Sequence, residues 1–217
     1  MATKDKKQIV NILANSRSLK YKKNDFIFRP GDPYHYIEYL KSGYIRIYEI
    51  SKNGQEVSLH IYGPGSFLPG LYSPSSKKRR YYADALTSVE ILQAQPEDII
   101  KAAQSDSEFL MELLNNYMST YYDLLARVEY LASGDAYTKV ASVLVLLAGQ
   151  AEPKKTTGVS LDFSATHRLI ASLTGLTRET VTLQMLKLKK NGFISGKGRR
   201  LSITDLNKLR EETSSEE

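Results

Sequence analysis

The period of the apolar residues changes once along this 217-residue chain, at Pro96, and the change limits the fold to strands first and helices second. Before it, from about residue 20 to residue 95, short runs rich in β-branched and aromatic residues are punctuated by Gly, Pro, Asn and Asp. The runs are Phe26-Ile27-Phe28, Tyr36 to Leu40, Tyr44 to Ile50 and Val57 to Tyr62. Strands at this spacing predict a sandwich or a small barrel. Asn53-Gly54, between the last two runs, predicts a type I′ hairpin, because both central residues of that turn take positive φ. Gly31-Asp32-Pro33 and Gly63-Pro64-Gly65 predict further turns, and Pro74 to Arg80 an exposed loop.

Beyond Pro96, the residues Leu114, Tyr117, Tyr121, Leu124, Val128 and Leu131 recur at spacings of 3, 4, 3, 4 and 3, which places them along one seam of a long helix. Such a seam predicts pairing with a second copy of the chain. A helix packed on its own domain is the competing reading, which Leu110, Leu113 and Leu125 off the seam permit. Ala132-Ser133-Gly134-Asp135 then breaks the helix, with Asp135 able to cap an apolar helix from Tyr137 to Leu147. Glu152 to Gly158 reads as a loop, and Glu211 to Glu217 as a frayed polar tail. The predicted organisation is α+β: a sensor-like β-barrel over 1–105, a dimerisation helix over 106–133 and a second domain over 134–217.

The net charge of +6 is unevenly placed. From Thr166 to Arg200 there are eight basic residues against one acid, Glu179, so this segment carries +7 and the rest about −1. A field so concentrated suits a polyanion, whose condensed counterions are released when its phosphates are neutralised. With no cysteine, a disulfide framework, a thiolate zinc site and a cysteine-held iron–sulfur cluster are all excluded. The three histidines, His35, His60 and His167, are too scattered to suggest a metal site, so no metal and no cofactor are expected. No nucleotide-binding glycine loop, metalloprotease motif or nucleophile elbow occurs, and no catalytic residue is expected. The amino terminus lacks an apolar run after its charges, which predicts a cytoplasmic protein.

The basic segment itself reads as a helix-turn-helix. Ser164 is placed to cap a helix ending near Leu173, Thr174-Gly175-Leu176 forms a tight turn, and Thr177 caps a second helix running to Asn191. On that second helix Val181, Met185 and Leu188 share one face, leaving Arg178, Glu179, Thr182 and Leu183 on the outer side that enters the major groove in this motif. Gly192 stops the helix, and Phe193-Ile194 and Leu201 to Ile203 flank a basic hairpin, Gly196 to Arg200, suited to serve as a wing.

Thr177-Arg178-Glu179-Thr180-Val181 followed by Gly192-Phe193-Ile194 resembles the recognition-helix signature of the Crp/Fnr family of bacterial regulators. Gly31-Asp32-Pro33, Leu40 to Tyr48, Gly63 to Leu68, Ala85-Leu86-Thr87 and the long helix occur in the family's order. The resemblance implies an N-terminal cyclic-nucleotide-binding-like jelly roll (a double-stranded β-helix) and a C-terminal winged helix-turn-helix. It implies a homodimer on a two-fold symmetric operator of double-stranded DNA, with RNA polymerase as a further partner. Arg178 would read a guanine and Glu179 a cytosine, with Thr182 and Leu183 beside them. Thr166, Arg168, Thr177, Thr180, Lys197, Arg199 and Arg200 would meet phosphates. Leu183 stands where the family usually has a second base-reading arginine. An adaptor that kept the winged fold and lost specific DNA binding is therefore the alternative reading, which the +7 segment opposes.

The resemblance places an effector pocket at Leu68, Gly70, Leu71, Arg80, Tyr81 and Tyr82. Members that bind cyclic nucleotides carry a Gly-Glu pair for the ribose and an Arg-Ser-Ala segment for the phosphate. Here those match Pro69-Gly70 and Arg80-Tyr81-Tyr82, so the ribose carboxylate is missing and bulky phenols replace two small residues. The expected effector is not cAMP, and the sequence does not name another.

Overall fold

A computed structural model describes residue 13 and residues 16–68, 78–151, 156–196 and 201–213. The chain divides into two compact units, Met1–Tyr48 with Ile61–Tyr121, and Glu49–His60 with Tyr122–Glu217. Among the described residues no helix is long and apolar enough to cross a membrane.

Among the described residues seven strands precede the first helix: β1 (Arg17–Tyr21), β2 (Phe26–Phe28), β3 (Ile37–Ser42), β4 (Ile45–Ile50), β5 (Glu56–Tyr62), β6 (Tyr82–Ala85) and β7 (Val89–Ala94). They form two sheets, in the orders β1-β7-β3 and β2-β6-β4-β5. The jelly-roll character is present, but the predicted barrel does not close. At the outer edge of β3 a turn segment takes the place of a strand: Leu40 N donates to Ser66 O, Gly65 N to Leu40 O and Leu68 N to Glu38 O.

The alternation of β3 decides what each face holds. Ile37 and Tyr39, opposite Ala94 and Leu92, face a buried cluster completed by Leu13, Phe67, Ile99, Phe109 and Leu113. Ile99 comes from α1 (Pro96–Ser105) and the last two residues from α2 (Ser107–Ser133). The opposite face of the same strand pair carries Glu38 beside Gln93 and Leu40 beside Ile91, all of which follow from the register.

The β4–β5 turn differs from the type I′ expectation. Asn24 is the one described non-glycine residue with positive φ, so Asn53 does not take the left-handed conformation that turn requires. Gly54 N donates to Ser51 O and Ser51 N to Gln55 O, while Gly54 sits at φ 79°, a turn followed by a left-handed glycine bulge. Side-chain bonds from Ser51 Oγ to Asn53 Oδ1 and to Gln55 O favour the longer loop.

Along α2 two stripes run at heptad spacing. Phe109, Leu113 and Tyr130 are buried, and Asn116, Thr120, Asp123 and Arg127 between them are half-buried. The outward stripe is Met111, Leu114, Met118, Tyr121, Leu125 and Val128, all exposed, Val128 at 64%. Tyr117 and Leu124 are exposed on its flank, whereas Leu131 is half-buried. The exposed apolar face is therefore wider than the seam read from the sequence.

The helix breaks at Gly134-Asp135, where Asp135 Oδ1 accepts from Thr138 N at 2.8 Å and caps α3 (Ala136–Ala151). Val140, Leu144 and Leu147 of α3 are buried among α4 (His167–Thr174), α5 (Arg178–Lys190) and α6 (Leu206–Glu211). A sheet of order β8-β10-β9 completes the unit, from β8 (Thr157–Ser160), β9 (Ile194–Ser195) and β10 (Ser202–Asp205). Thr157 and Gly158, expected in a loop, begin β8, and Glu211, expected in a frayed tail, ends α6.

Gly43, between β3 and β4, has φ 86°, and a Cβ there would lie 2.2 Å from Ser88 O. Gly54 has a similar φ of 79° but open space around it. Gly54→Ala should therefore cost only the left-handed penalty of about 1–2 kcal/mol. Gly43→Ala should cost clearly more, because backbone must move as well. Urea denaturation midpoints of the two variants check this, and equal losses would contradict it.

Candidate nucleic-acid interface

The helix-turn-helix is built by local hydrogen bonds that the sequence supplies. Thr166 caps α4, its Oγ1 accepting from Leu169 N at 3.1 Å; Ser164, expected in that role, lies two residues too early and accepts through its carbonyl from Thr166 N. Gly175 ends α4 in the left-handed conformation at φ 71°. Thr177 Oγ1 then accepts from Thr180 N at 3.1 Å and starts α5. At the far end Gly192 N donates to Lys189 O and Phe193 N to Leu188 O, the paired bonds of a Schellman motif.

These caps fix which face of α5 looks outward. Val181, Met185 and Leu188 are buried, together with Gln184. Arg178, Glu179 and Leu183 are exposed, Leu183 at 60%, and Leu186 joins them at 59%. Thr182 is half-buried and committed elsewhere: its hydroxyl donates to Arg178 O at 2.8 Å and meets His167 Nδ1 at 2.8 Å. His167, not singled out in the sequence, thereby ties the first residue of α4 to α5. The hydroxyls of Thr166 and Thr177 are likewise engaged as caps, and Thr180 Oγ1 pairs with Thr177 Oγ1 at 2.9 Å. Lys187, Lys189 and Lys190 fill the last turn of α5, where the helix dipole favours cations. Lys197, Arg199 and Arg200 of the wing lie outside the described residues, but β9 and β10 that flank them are paired, Ile194 opposite Ile203.

The tip of the β4–β5 hairpin belongs to the same unit as these helices. Glu56 accepts from Arg168 Nη2 at 3.1 Å, and Ser58 Oγ meets Ser172 Oγ at 2.6 Å. Arg168, expected on phosphate, thus already has an acidic neighbour. Arg127 donates to three backbone carbonyls, those of Ser58, Leu59 and Leu173, the last of them in the final turn of α4. Burial pushes its guanidinium pKa down. His60 is half-buried beside it, and desolvation first, then the Arg127 charge, lower the imidazole to about 4. The amide of Gln150 meets His60 Nε2 at 3.3 Å and also bonds Asp123, whose carboxyl is pushed up by burial. The sequence signal for Arg127 was its place on the inward stripe of α2, seven residues beyond Thr120.

In the first unit, Leu68 is buried, Arg80 is exposed with its guanidinium 5.4 Å from the Tyr81 ring, and Tyr82 stacks on Tyr48 at 5.2 Å. Gly70 and Leu71 lie outside the described residues. The interior arginine is Arg79 rather than Arg80. Its backbone is held by the Gly31-Asp32 turn, and its side chain is 7% exposed.

A jelly-roll-like domain followed by a winged helix-turn-helix with an exposed, basic recognition helix defines a DNA-binding regulator of transcription. Residues 18–106 match the cyclic nucleotide-binding domain family, and residues 138–212 the Crp-like helix-turn-helix domain family. The chain is 27% identical over 189 residues to the global nitrogen regulator of Nostoc sp. strain PCC 7120, covering 84% of this chain and 83% of that one. It is 27% identical over 200 residues to the transcriptional regulator SdrP of Thermus thermophilus, covering 89% and 93%. Among solved structures it is similar to FixK2 from Bradyrhizobium japonicum, with a TM-score of 0.76 at 20% identity over 93% of this chain and 99% of that one. The chain belongs to the Crp/Fnr family of transcription regulators.

The depressed His60 pKa has a consequence for stability. The unfolded chain takes up a proton near the ordinary value of about 6.5, whereas folded His60 resists until about 4. Its contribution is thus fully present above pH 6.5 and is lost as pH falls toward 4, at up to about 1.4 kcal/mol per unit. Asp123 works in the opposite sense, so the comparison must be with His60→Gln. The difference in denaturation midpoint between wild type and this variant should shrink across that window; a constant difference would contradict it.

Proposed function

We propose that the chain acts as a homodimer on a two-fold symmetric operator, reading bases with the N-terminal part of α5. The observation that carries this is the orientation of α5: its caps and its buried Val181, Met185 and Leu188 leave Arg178, Glu179 and Leu183 outward. Arg178 pairs bidentately with a guanine, Glu179 accepts from a cytosine amino group, and Leu183 meets a thymine methyl in place of the hydrogen bonds an arginine would make. Thr182 supports the reader through Arg178 O more than it reads. Thr166, Arg168, Thr177 and Thr180 with Lys197, Arg199 and Arg200 track phosphates, and Arg168 exchanges Glu56 for phosphate on binding. RNA polymerase is the protein partner, the cytoplasm the compartment, and the chain carries no catalysis.

The second copy is held by α2. Its outward stripe from Met111 to Val128 is apolar at coiled-coil spacing, and Leu114, Tyr117, Tyr121 and Leu124 lie on or beside it. Leu131, half-buried, closes the interface at its end. Leu124→Asp together with Val128→Asp should give a folded monomer by light scattering, and a mass that stays dimeric would remove α2 from the interface.

Selection from randomised DNA tests the reader. Arg178→Ala should cost about 1–3 kcal/mol on the specific site and relax preference at one position per half-site. Leu183→Arg should shift that preference toward an added guanine. Lys197→Ala should weaken specific and nonspecific binding alike and lower the salt slope by about one. An unchanged selected sequence with Arg178→Ala would show that α5 is not the reader.

A further inference from the structure

The interior face of the first unit holds a buried ion pair that the sequence did not reveal. Arg79 Nη2 donates to Glu38 Oε2 at 2.7 Å, and both side chains are 7% exposed. Gln93 Nε2, opposite in the β3–β7 register, donates to the other oxygen, Glu38 Oε1, at 3.0 Å. The Arg79 guanidinium lies 4.0 Å from the Phe28 ring centroid and 4.2 Å from that of Tyr34. Its Nε and Nη1 are buried and find no acceptor among the described residues. The Tyr34 phenol, pushed up to about 12 chiefly by burial, stays neutral and supplies no counter-charge.

We propose that Glu38 is a built-in counter-anion, which occupies the buried Arg79 of the cyclic-nucleotide-binding fold and closes it to anionic effectors. The guanidinium lies over both the Phe28 and the Tyr34 ring, contacts it would give up on turning from Glu38 toward an incoming phosphate. An anion reaching Nε or Nη1 would have to share one positive charge with the Glu38 carboxylate, whose repulsion in a site of low dielectric offsets the guanidinium's attraction. The strand register makes this hard to evade: Glu38 sits on the interior face because Ile37 and Tyr39 are needed in the helical cluster on the other. An uncharged effector pairs with the remaining donors without meeting that repulsion. This inference concerns the first domain alone and does not depend on how α5 reads DNA.

Glu38→Gln removes the charge and keeps the shape, leaving a buried cation without a counter-ion. The melting temperature of the full chain is measured against inorganic phosphate and against cAMP, with chloride at matched ionic strength as the control. Wild type should respond to neither beyond the control. The Glu38→Gln variant should melt lower and recover with phosphate, by at least tenfold tighter apparent binding than wild type shows, since a ligand that binds only the folded state raises its stability. Adding Arg79→Met should abolish that response. Where Glu38→Gln alone does not fold, the Glu38→Gln/Arg79→Met double variant decides, because removing both charges together should restore a midpoint near wild type. Phosphate or cAMP binding by wild type that Arg79→Met abolishes would overturn the proposal. So would a folded Glu38→Gln variant indifferent to phosphate, or a double variant less stable than either single one.

Discussion

The inward stripe of α2 is the constraint on which the other parts depend. It begins apolar, with Phe109 and Leu113 in the cluster under β3 and β7, and ends polar, with Asp123 and Arg127. Between them Asn116 Nδ2 donates to Gly65 O at 2.8 Å, which ties the helix to the turn that edges β3. One helix thus meets two different chemical demands. Apolar side chains remove sheet surface from water, while Asn116 and Arg127 donate to backbone carbonyls. Arg127 gathers three such carbonyls, which makes it a fastening rather than a charge pair.

The second unit solves a different problem, the termination of short helices. With eight and thirteen residues, α4 and α5 have a large share of their backbone groups at ends. Thr166, Thr177, Gly175 and Gly192 each satisfy or redirect one end, and the residue exposed at the start of α5 follows from where Thr177 halts the turn. Arg178 is therefore positioned by backbone bonds two or three residues away. The side-chain link from His167 to Thr182 adds a polar tie between the two helices.

What was legible in the sequence was what is local. The helix-turn-helix, its buried triad and its glycine stops depend on neighbours within about one turn, so spacing alone revealed them. The cap of α4 was displaced from Ser164 to Thr166 because both residues can cap, and spacing does not say which carbonyl starts the ladder. Arg79, whose side chain is buried, precedes by one position the exposed Arg80 that the resemblance assigned to a pocket, and in extended chain one residue exchanges inside for outside. β8 and α6 are four and six residues long, too short to declare a period. Glu38 with Arg79 and Arg127 with its carbonyls join residues dozens of positions apart, and nothing in a single sequence announces such pairs.

Leu183 and Leu186 leave an apolar strip on the outward face of a basic recognition helix. An arginine at position 183 would tie affinity to ionic strength, because its contact displaces condensed cations. If Leu183 packs against a thymine methyl as proposed, it would tie affinity to temperature instead, since burying apolar surface lowers the heat capacity of the complex. On that reading, the affinity of the proposed reader for its operator would bend with temperature and yield less to salt than with an arginine at position 183.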